Sequence, residues 1–224
     1  MPPPKLIALI GLRCSGKTSV GTELARILRW PFIDLDREIE RLYARTKDAR
    51  TGEAATGDSR PNPSSPTRAT TTPKTPPALA RPSTPTLKTA GEILQSQGEP
   101  AFRALESEAL TEILRRETRC VLATGGGVVE REENRRLLAE QAVCVWLRVE
   151  ASELARRMRA DPTPRPSLTG EDPAREIPKL ALRRDPLYAA LAHTTVDGAL
   201  LPPAKLAEEL ARELRTRVDL DLDR

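Results

Sequence analysis

An apolar run, Leu6 to Ile10, opens directly into Gly11-Leu12-Arg13-Cys14-Ser15-Gly16-Lys17-Thr18, and helical spacing follows at once in Val20, Leu24, Ile27 and Leu28. Strand, glycine-bounded loop and helix in that order constrain a fold more than any other stretch of this chain. The loop turns backbone N–H groups inward, and the helix behind it points its positive end at the same spot, so a phosphate fits there. Lys17 then supplies a point charge for β and γ phosphates, and Thr18 offers a hydroxyl to Mg²⁺. Gly11, Arg13, Cys14, Ser15, Gly16, Lys17 and Thr18 are therefore candidate ATP-binding residues of a P-loop, with Lys17 expected to face solvent until phosphate arrives.

The rest of the chain repeats this alternation. Strands are expected at Leu6 to Ile10, Phe32 to Asp34, Cys120 to Thr124, Val143 to Val149 and Thr194 to Asp197. Helical spacing recurs in Ile39, Leu42, Tyr43, in Phe102, Leu105, Ala109, Leu110, Ile113, Leu114, and in Leu206, Leu210, Leu214. Such alternation implies βαβ crossovers and an α/β fold of three layers, a mostly parallel five-stranded sheet covered on both faces. Ligands belong at the carboxyl ends of its strands.

One segment does not fit this pattern. From Pro61 to Thr89, 19 of 29 residues are Pro, Thr or Ser, eight of them proline. A stretch with so little to bury cannot offset its ordering entropy, so residues 47–88 are expected to be a disordered insertion. The folded domain is then split, 1–46 with 89–217, followed by a tail at 218–224. The insertion also carries the whole formal charge of +4, since seven basic and three acidic residues lie within it. The remainder sums to zero, and no aromatic residue lies between Tyr43 and Phe102, which argues against nucleic-acid binding. No apolar run approaches the roughly 18 residues of a membrane span, and Leu6 to Leu12 reads as a strand instead of a signal peptide. Cys14, Cys120 and Cys144 lie far apart and form no CxxC pair, which fits a reducing cytoplasm. The single histidine, His193, reads as structural, because one histidine cannot supply a zinc site.

Further candidates sit where strands end. Asp34 and Asp36 are two residues apart, hence on one face of an extended chain; the pair could serve Mg²⁺ and a substrate hydroxyl, though Asp36 alone also fits a helix N-cap. Gly125-Gly126-Gly127 would let a small ligand approach bare backbone, or could be a flexible turn. Arg165, framed by prolines in the loop 161–170, looks like a lid cation for transferring phosphate, and Arg183-Arg184 is expected to end a helix. Taken singly, such arginines are more often solvated surface charges.

Six ordered motifs together resemble the shikimate kinases, P-loop enzymes of nucleoside-monophosphate-kinase-like fold: the P-loop, Phe32-Ile33-Asp34-Leu35-Asp36-Arg37-Glu38-Ile39-Glu40, Gly98 to Glu106 with Phe102 and Arg103, Ala123 to Gly127, Arg165-Pro166-Ser167-Leu168, and Arg184-Asp185-Pro186-Leu187-Tyr188. The resemblance implies phosphorylation of the 3-hydroxyl of shikimate by ATP on the route to chorismate, by a cytoplasmic monomer whose partners are those two small molecules. It implies Lys17, Asp36 and Arg165 as catalytic residues, Mg²⁺ as cofactor on Thr18 and, through water, on Asp34, and shikimate on Asp36, Arg103, Gly125, Gly126, Gly127 and Arg184. Arg165 would close over the phosphates, and Arg157 and Pro203 would flank the adenine. Two planar arginine forks suit a carboxylate.

Cys14 departs from the family, which usually has glycine there; its Cβ is expected either to fit an ordinary dihedral or to reshape the loop slightly. Two other readings compete: a kinase for another small hydroxy acid such as gluconate, against which the triple glycine and the arginine pair speak, and a catalytically dead P-loop scaffold, against which the intact set Lys17, Thr18, Asp34, Asp36 and Arg165 speaks.

Overall fold

The structure, a computed structural model, describes residues 6–54, 88–116, 119–161 and 172–217. Arg165, residues 55–87 of the expected insertion and the 218–224 tail lie outside the described residues. Strands β1 (Leu6–Ile10), β2 (Phe32–Asp34), β3 (Cys120–Ala123), β4 (Ala142–Arg148) and β5 (Thr194–Asp197) form one sheet in the order β2-β3-β1-β4-β5. Every pairing is parallel.

Side-chain alternation divides the core into two layers. Ile7, Leu9, Val121, Val143, Val145 and Leu147 point to the face covered by α1 (Lys17–Leu28) and α8 (Pro203–Arg217), where they meet Val20, Leu24, Leu206, Leu210 and Leu214. Leu6, Ala8, Ile10, Leu122, Cys144 and Trp146 point to the other face. That second layer is completed by α2 (Leu35–Ala54), α3 (Ala90–Gln97), α4 (Glu99–Arg115), α5 (Glu132–Gln141), α6 (Ala151–Ala160) and α7 (Pro173–Leu191). All five residues of β1 are buried, and burying one Leu or Ile side chain stabilises by about 1.5–3 kcal/mol, so this strand is anchored from both faces.

The helices depart from the sequence reading in three places. Helix α2 runs on to Ala54, so 47–54, expected to start the insertion, continue the helix; no proline lies between Pro31 and Pro61. Arg183 and Arg184 lie inside α7 instead of at its end, since the helix accommodates Pro178 and Pro186 and stops only at Leu191. Helices α3, α5 and α6 were not expected at all. Thr89 starts α3 with a capping box, its side chain accepting from the Glu92 amide while the Glu92 carboxylate accepts from the Thr89 amide at 2.7 Å.

His193 has a use in the sheet, as expected: its Nδ1 accepts from the Cys144 amide at 3.1 Å and its own amide donates to the Cys144 carbonyl at 2.8 Å. All three cysteines are free thiols, and burial pushes Cys120 up to about 11 and Cys144 up to about 12. Among the described residues no helix is long and apolar enough to cross a membrane.

Candidate active site

Two loops leave adjacent strands side by side. The P-loop follows β1 and the triple glycine follows β3, and the Thr124 amide and hydroxyl both donate to the Leu9 carbonyl, at 3.1 and 3.0 Å, which fixes one exit against the other. Glycines let the P-loop lie close to the strands on both sides, β4 and β3. A Cβ on Gly11, at φ 138°, would stand 2.7 Å from the Leu147 carbonyl oxygen, and one on Gly126 would crowd the Arg13 amide at 3.3 Å.

Lys17 does not face solvent. It is buried, with Nζ donating to the carbonyls of Gly11 at 2.9 Å and Leu12 at 2.7 Å and to Ser15 Oγ at 3.4 Å. The P-loop carbonyls of Gly11 and Leu12 converge on the ammonium. Cys14 does not adopt an ordinary dihedral either: its φ of 63° is left-handed, the conformation for which glycine is suited. Its carbonyl accepts from Arg157 Nη1 at 3.3 Å, while Arg157 Nη2 donates to the Gly198 carbonyl at 3.2 Å. Arg157 therefore ties α6 to both the P-loop and the turn after β5. Pro203 stands exposed at the start of α8, the next helix.

At the head of α1, the exposed Thr18 hydroxyl donates to Asp34 Oδ2 at 3.1 Å. Asp34 Oδ1 accepts from the Asp36 amide at 3.1 Å, so the capping role open to Asp36 falls to Asp34. Asp36 already belongs to the first turn of α2, which replaces the extended geometry assumed for the pair. Its residue surface is open to solvent, but protein surrounds the carboxyl on most sides. That desolvation, then the charges of Asp34, Glu106 and Glu40, push it up to about 6 against a partial opposing effect of Lys17.

Past Asp36 the cleft is walled by glycine and arginine. A Cβ on Gly125 would stand 2.7 Å from Glu106 Oε1 and 3.3 Å from Asp36 Oδ1, and one on Gly127 would fall within 2.3 Å of the Arg103 guanidinium carbon. Arg103 donates to Glu106 Oε2 at 2.8 Å and to Glu99 Oε1 at 3.3 Å. Burial pushes Glu106 upward, with Arg103 opposing. Arg184 is 2% exposed and donates from Nε to Glu130 Oε1 at 2.6 Å; Arg183 donates to the same oxygen. The Tyr188 hydroxyl donates to the Gly126 carbonyl. Arg103 Nε, Glu106 Oε1 and Arg184 Nη2 are buried with no partner among the described residues. A protein that buries two cations and leaves polar atoms on them unused is equipped for a polar ligand.

The described residues thus bring Gly11, Arg13, Cys14, Ser15, Gly16, Lys17, Thr18, Asp34 and Asp36 to one end of the cleft and Arg103, Gly125, Gly126, Gly127 and Arg184 to the other. Sequence reasoning missed Glu106, Arg183, Tyr188 and Glu130 as site residues. The first three stood within quoted motifs, whereas nothing around Glu130 marked it. Among the described residues no three His, Cys, Asp or Glu side chains cluster as a metal site of their own.

The family model described as shikimate kinase matches residues 13–50 and 84–215, more than half of the chain. The shikimate kinase of Cereibacter sphaeroides is 33% identical over 216 residues, covering 96% of this chain and 85% of that one. The shikimate kinase of Dechloromonas aromatica is 36% identical over 207 residues, 92% and 88% of the two chains. Among solved structures, shikimate kinase from Acinetobacter baumannii in complex with shikimate superposes with a TM-score of 0.69 at 28% identity, over 96% of this chain and 94% of that one.

Proposed function

Because the chain belongs to the shikimate kinase family, its reaction is the ATP-dependent phosphorylation of shikimate, and we propose that the attacked oxygen is the 3-hydroxyl and that Asp36 receives its proton. One observation supports the residue assignment: the Asp36 carboxyl feels the charges of Lys17 and Asp34 from the P-loop end and of Glu106 from α4, and a Cβ on Gly125 would stand 3.3 Å from its Oδ1.

ATP lies in the P-loop with Arg157 and Pro203 towards the adenine, and Lys17 exchanges its loop carbonyls for phosphate oxygens. Shikimate lies beyond Asp36, its carboxylate on Arg103 and Arg184 and its hydroxyls against Gly125, Gly126, Gly127 and Asp36. The 3-hydroxyl oxygen bonds to the γ-phosphorus, the bond from that phosphorus to the β–γ bridging oxygen breaks, ADP retains the electron pair, and the hydroxyl proton passes to Asp36. A carboxyl near 6 is mostly ionised at neutral pH and sits closer to the operating pH than an ordinary Asp, as a general base should. Thr18 Oγ1 and Asp34 Oδ2 are hard oxygen donors that converge to 3.1 Å, a donor set suited to Mg²⁺, Asp34 acting through water. When bound, that ion neutralises phosphate charge. Arg165 is assigned to the phosphates on its family position alone. The split-domain reading is supported by the family match, which passes over residues 51–83.

The test is ADP release with Mg-ATP and shikimate, coupled to an NADH readout, followed by NMR of the product. Shikimate-dependent ADP release with phosphorus coupled to the proton on C3 is expected. Phosphate on another hydroxyl would overturn the regiochemistry, and no shikimate-dependent release would overturn the activity.

A further inference from the structure

Glu130 stands among the arginines of the cleft. It ends the 3-10 turn Val128–Glu130 that follows Gly127, and its backbone is pinned there, its amide donating to the Gly127 carbonyl at 3.0 Å and its carbonyl accepting from Arg135 Nη1 at 3.1 Å. Its carboxylate reaches in two directions. Oε1 accepts from Arg184 Nε at 2.6 Å and from Arg183, while Oε2 lies 4.0 Å from Arg103 Nη2. One internal carboxylate therefore spans both arginines assigned to the carboxylate of the substrate.

The way it binds Arg184 is informative. The Nε and Nη2 atoms of a guanidinium form one edge, spaced for the two oxygens of a single carboxylate. Glu130 takes only Nε, and Nη2 on the same edge is buried with no partner among the described residues. The edge is half filled. Three arginines (Arg103, Arg183, Arg184) face three glutamates (Glu99, Glu106, Glu130) across these ion pairs, so the cluster is balanced before any ligand enters. Removing Glu130 would take away the carboxylate that pairs with Arg184 and lies 4.0 Å from Arg103, and would leave Arg184 Nε unsatisfied as well as Nη2.

We propose that Glu130 is a positioning and specificity residue for the acid group of the substrate. It holds Arg184 by Nε, keeps Arg103 at a fixed distance through its second oxygen, and so leaves Arg184 Nη2 aimed for one oxygen of an incoming carboxylate. This inference rests on the reading of Arg103 and Arg184 as the carboxylate site. Its opposite is that Glu130 competes with the substrate for the arginines, in which case its removal would tighten binding.

The experiment compares wild type, Glu130→Ala and Glu130→Gln in steady-state kinetics with shikimate and ATP varied separately, with melting temperatures measured alongside. In Glu130→Ala the KM for shikimate is expected to rise at least about tenfold, as for loss of one partner of a buried charge pair, and the KM for ATP to stay within about twofold. Glu130→Gln, whose amide oxygen still accepts from Arg184 Nε, is expected to rise about threefold, a partial rescue. If the alanine variant does not fold, the glutamine variant decides alone. A shikimate KM that is unchanged or lower, or an ATP KM that rises in parallel, overturns the proposal; a lowered melting temperature with an unchanged shikimate KM would make Glu130 merely structural. Wild type that shows no shikimate-dependent turnover would sink the underlying assignment, whereas active wild type with unmoved variants sinks only the role of Glu130.

Discussion

A side chain on Gly125 and the Oε1 atom of Glu106 cannot coexist: the Cβ would stand 2.7 Å from that oxygen, which is the one Arg103 leaves unbonded. Glu106 cannot yield easily, because it is fully buried and held through its other oxygen at 2.8 Å. Gly125→Ala should therefore displace Glu106 and Arg103 together and raise the shikimate KM by about tenfold or more, since small misplacements near reacting groups are costly. The ATP KM should change by less than about threefold. Steady-state kinetics decide it, and a variant with wild-type KM for shikimate would remove Gly125 from the substrate site.

Lys17→Ala should lose about 10²-fold or more in kcat, as expected for deletion of a charge donor that acts on developing phosphate charge. It should also melt at a lower temperature, because the Gly11 and Leu12 carbonyls lose their ammonium donor. A variant retaining more than about a tenth of wild-type turnover would contradict the role of the lysine.

Asp36→Asn should lower kcat by roughly 10²- to 10⁴-fold, the usual contribution of a general base. Its stability should move the other way. Asp36 rises from the ordinary 3.8 to about 6 in the folded state, so the folded protein binds this proton more tightly than the unfolded chain does. The stability contributed by that proton is present below about pH 3.8 and lost as pH rises through about 6. Asparagine carries no such charge, so the variant should melt above wild type at pH 7 to 8, with the difference vanishing below about pH 4. Melting curves across pH check this, and a variant less stable than wild type at pH 8 would contradict the crowding of Asp34, Glu106 and Asp36. In wild type, kcat/KM for shikimate should fall as pH drops below about 6, and the acid limb reports this group in the free enzyme.

Cys14→Gly should stabilise the protein by about 0.5–1 kcal/mol, the left-handed cost of about 1–2 kcal/mol for a residue with a Cβ less the greater chain entropy of glycine. Turnover should stay within about threefold, because the φ of 63° already places the loop backbone where glycine would put it. Urea unfolding of the two proteins measures the difference; a loss of stability would mean the thiol makes a compensating contact.

Arg184→Lys should raise the shikimate KM far more than the ATP KM. Lysine keeps the charge but cannot offer one nitrogen to Glu130 while presenting another to a substrate carboxylate. Equal effects on both substrates would take Arg184 out of the acid site.

Most of the sheet was legible because strand periodicity is local. Leu6–Ile10, Phe32–Asp34 and Thr194–Asp197 fall on the bounds read from apolar runs, and the P-loop announced its own fold. Helix α3 was missed because only Ala90 and Ile93 of its eight residues are buried, too few to show a period, although Thr89 and Glu92 carry a capping-box pattern. In the site, residues that act on a ligand from strand ends were readable, whereas those that act on one another were not. Glu130 meets Arg184 across 54 positions, a contact that tertiary packing alone creates. Lys17 was misjudged for a similar reason: the sequence shows a lysine in a phosphate loop but not the carbonyls of Gly11 and Leu12 turned towards it.

The register of the two central strands has a bearing on how this enzyme can change. Leu9 of β1 pairs with Ala123 of β3, so the P-loop and the triple-glycine loop start at the same height on neighbouring strands, whose separation in any sheet is about 4.8 Å. The sheet acts as a ruler, and in the proposed site the distance from phosphate to hydroxyl is graduated mainly by backbone pairing, which a side-chain exchange away from the strand exits leaves as it is. With the acid site as proposed, substitutions on α4, α7 or the turn after Gly127 should change which acid is bound without disturbing that spacing. A change that loosened the β1 and β3 exits, such as loss of the Thr124 hydroxyl that donates to Leu9, would blur the scale for every substrate alike.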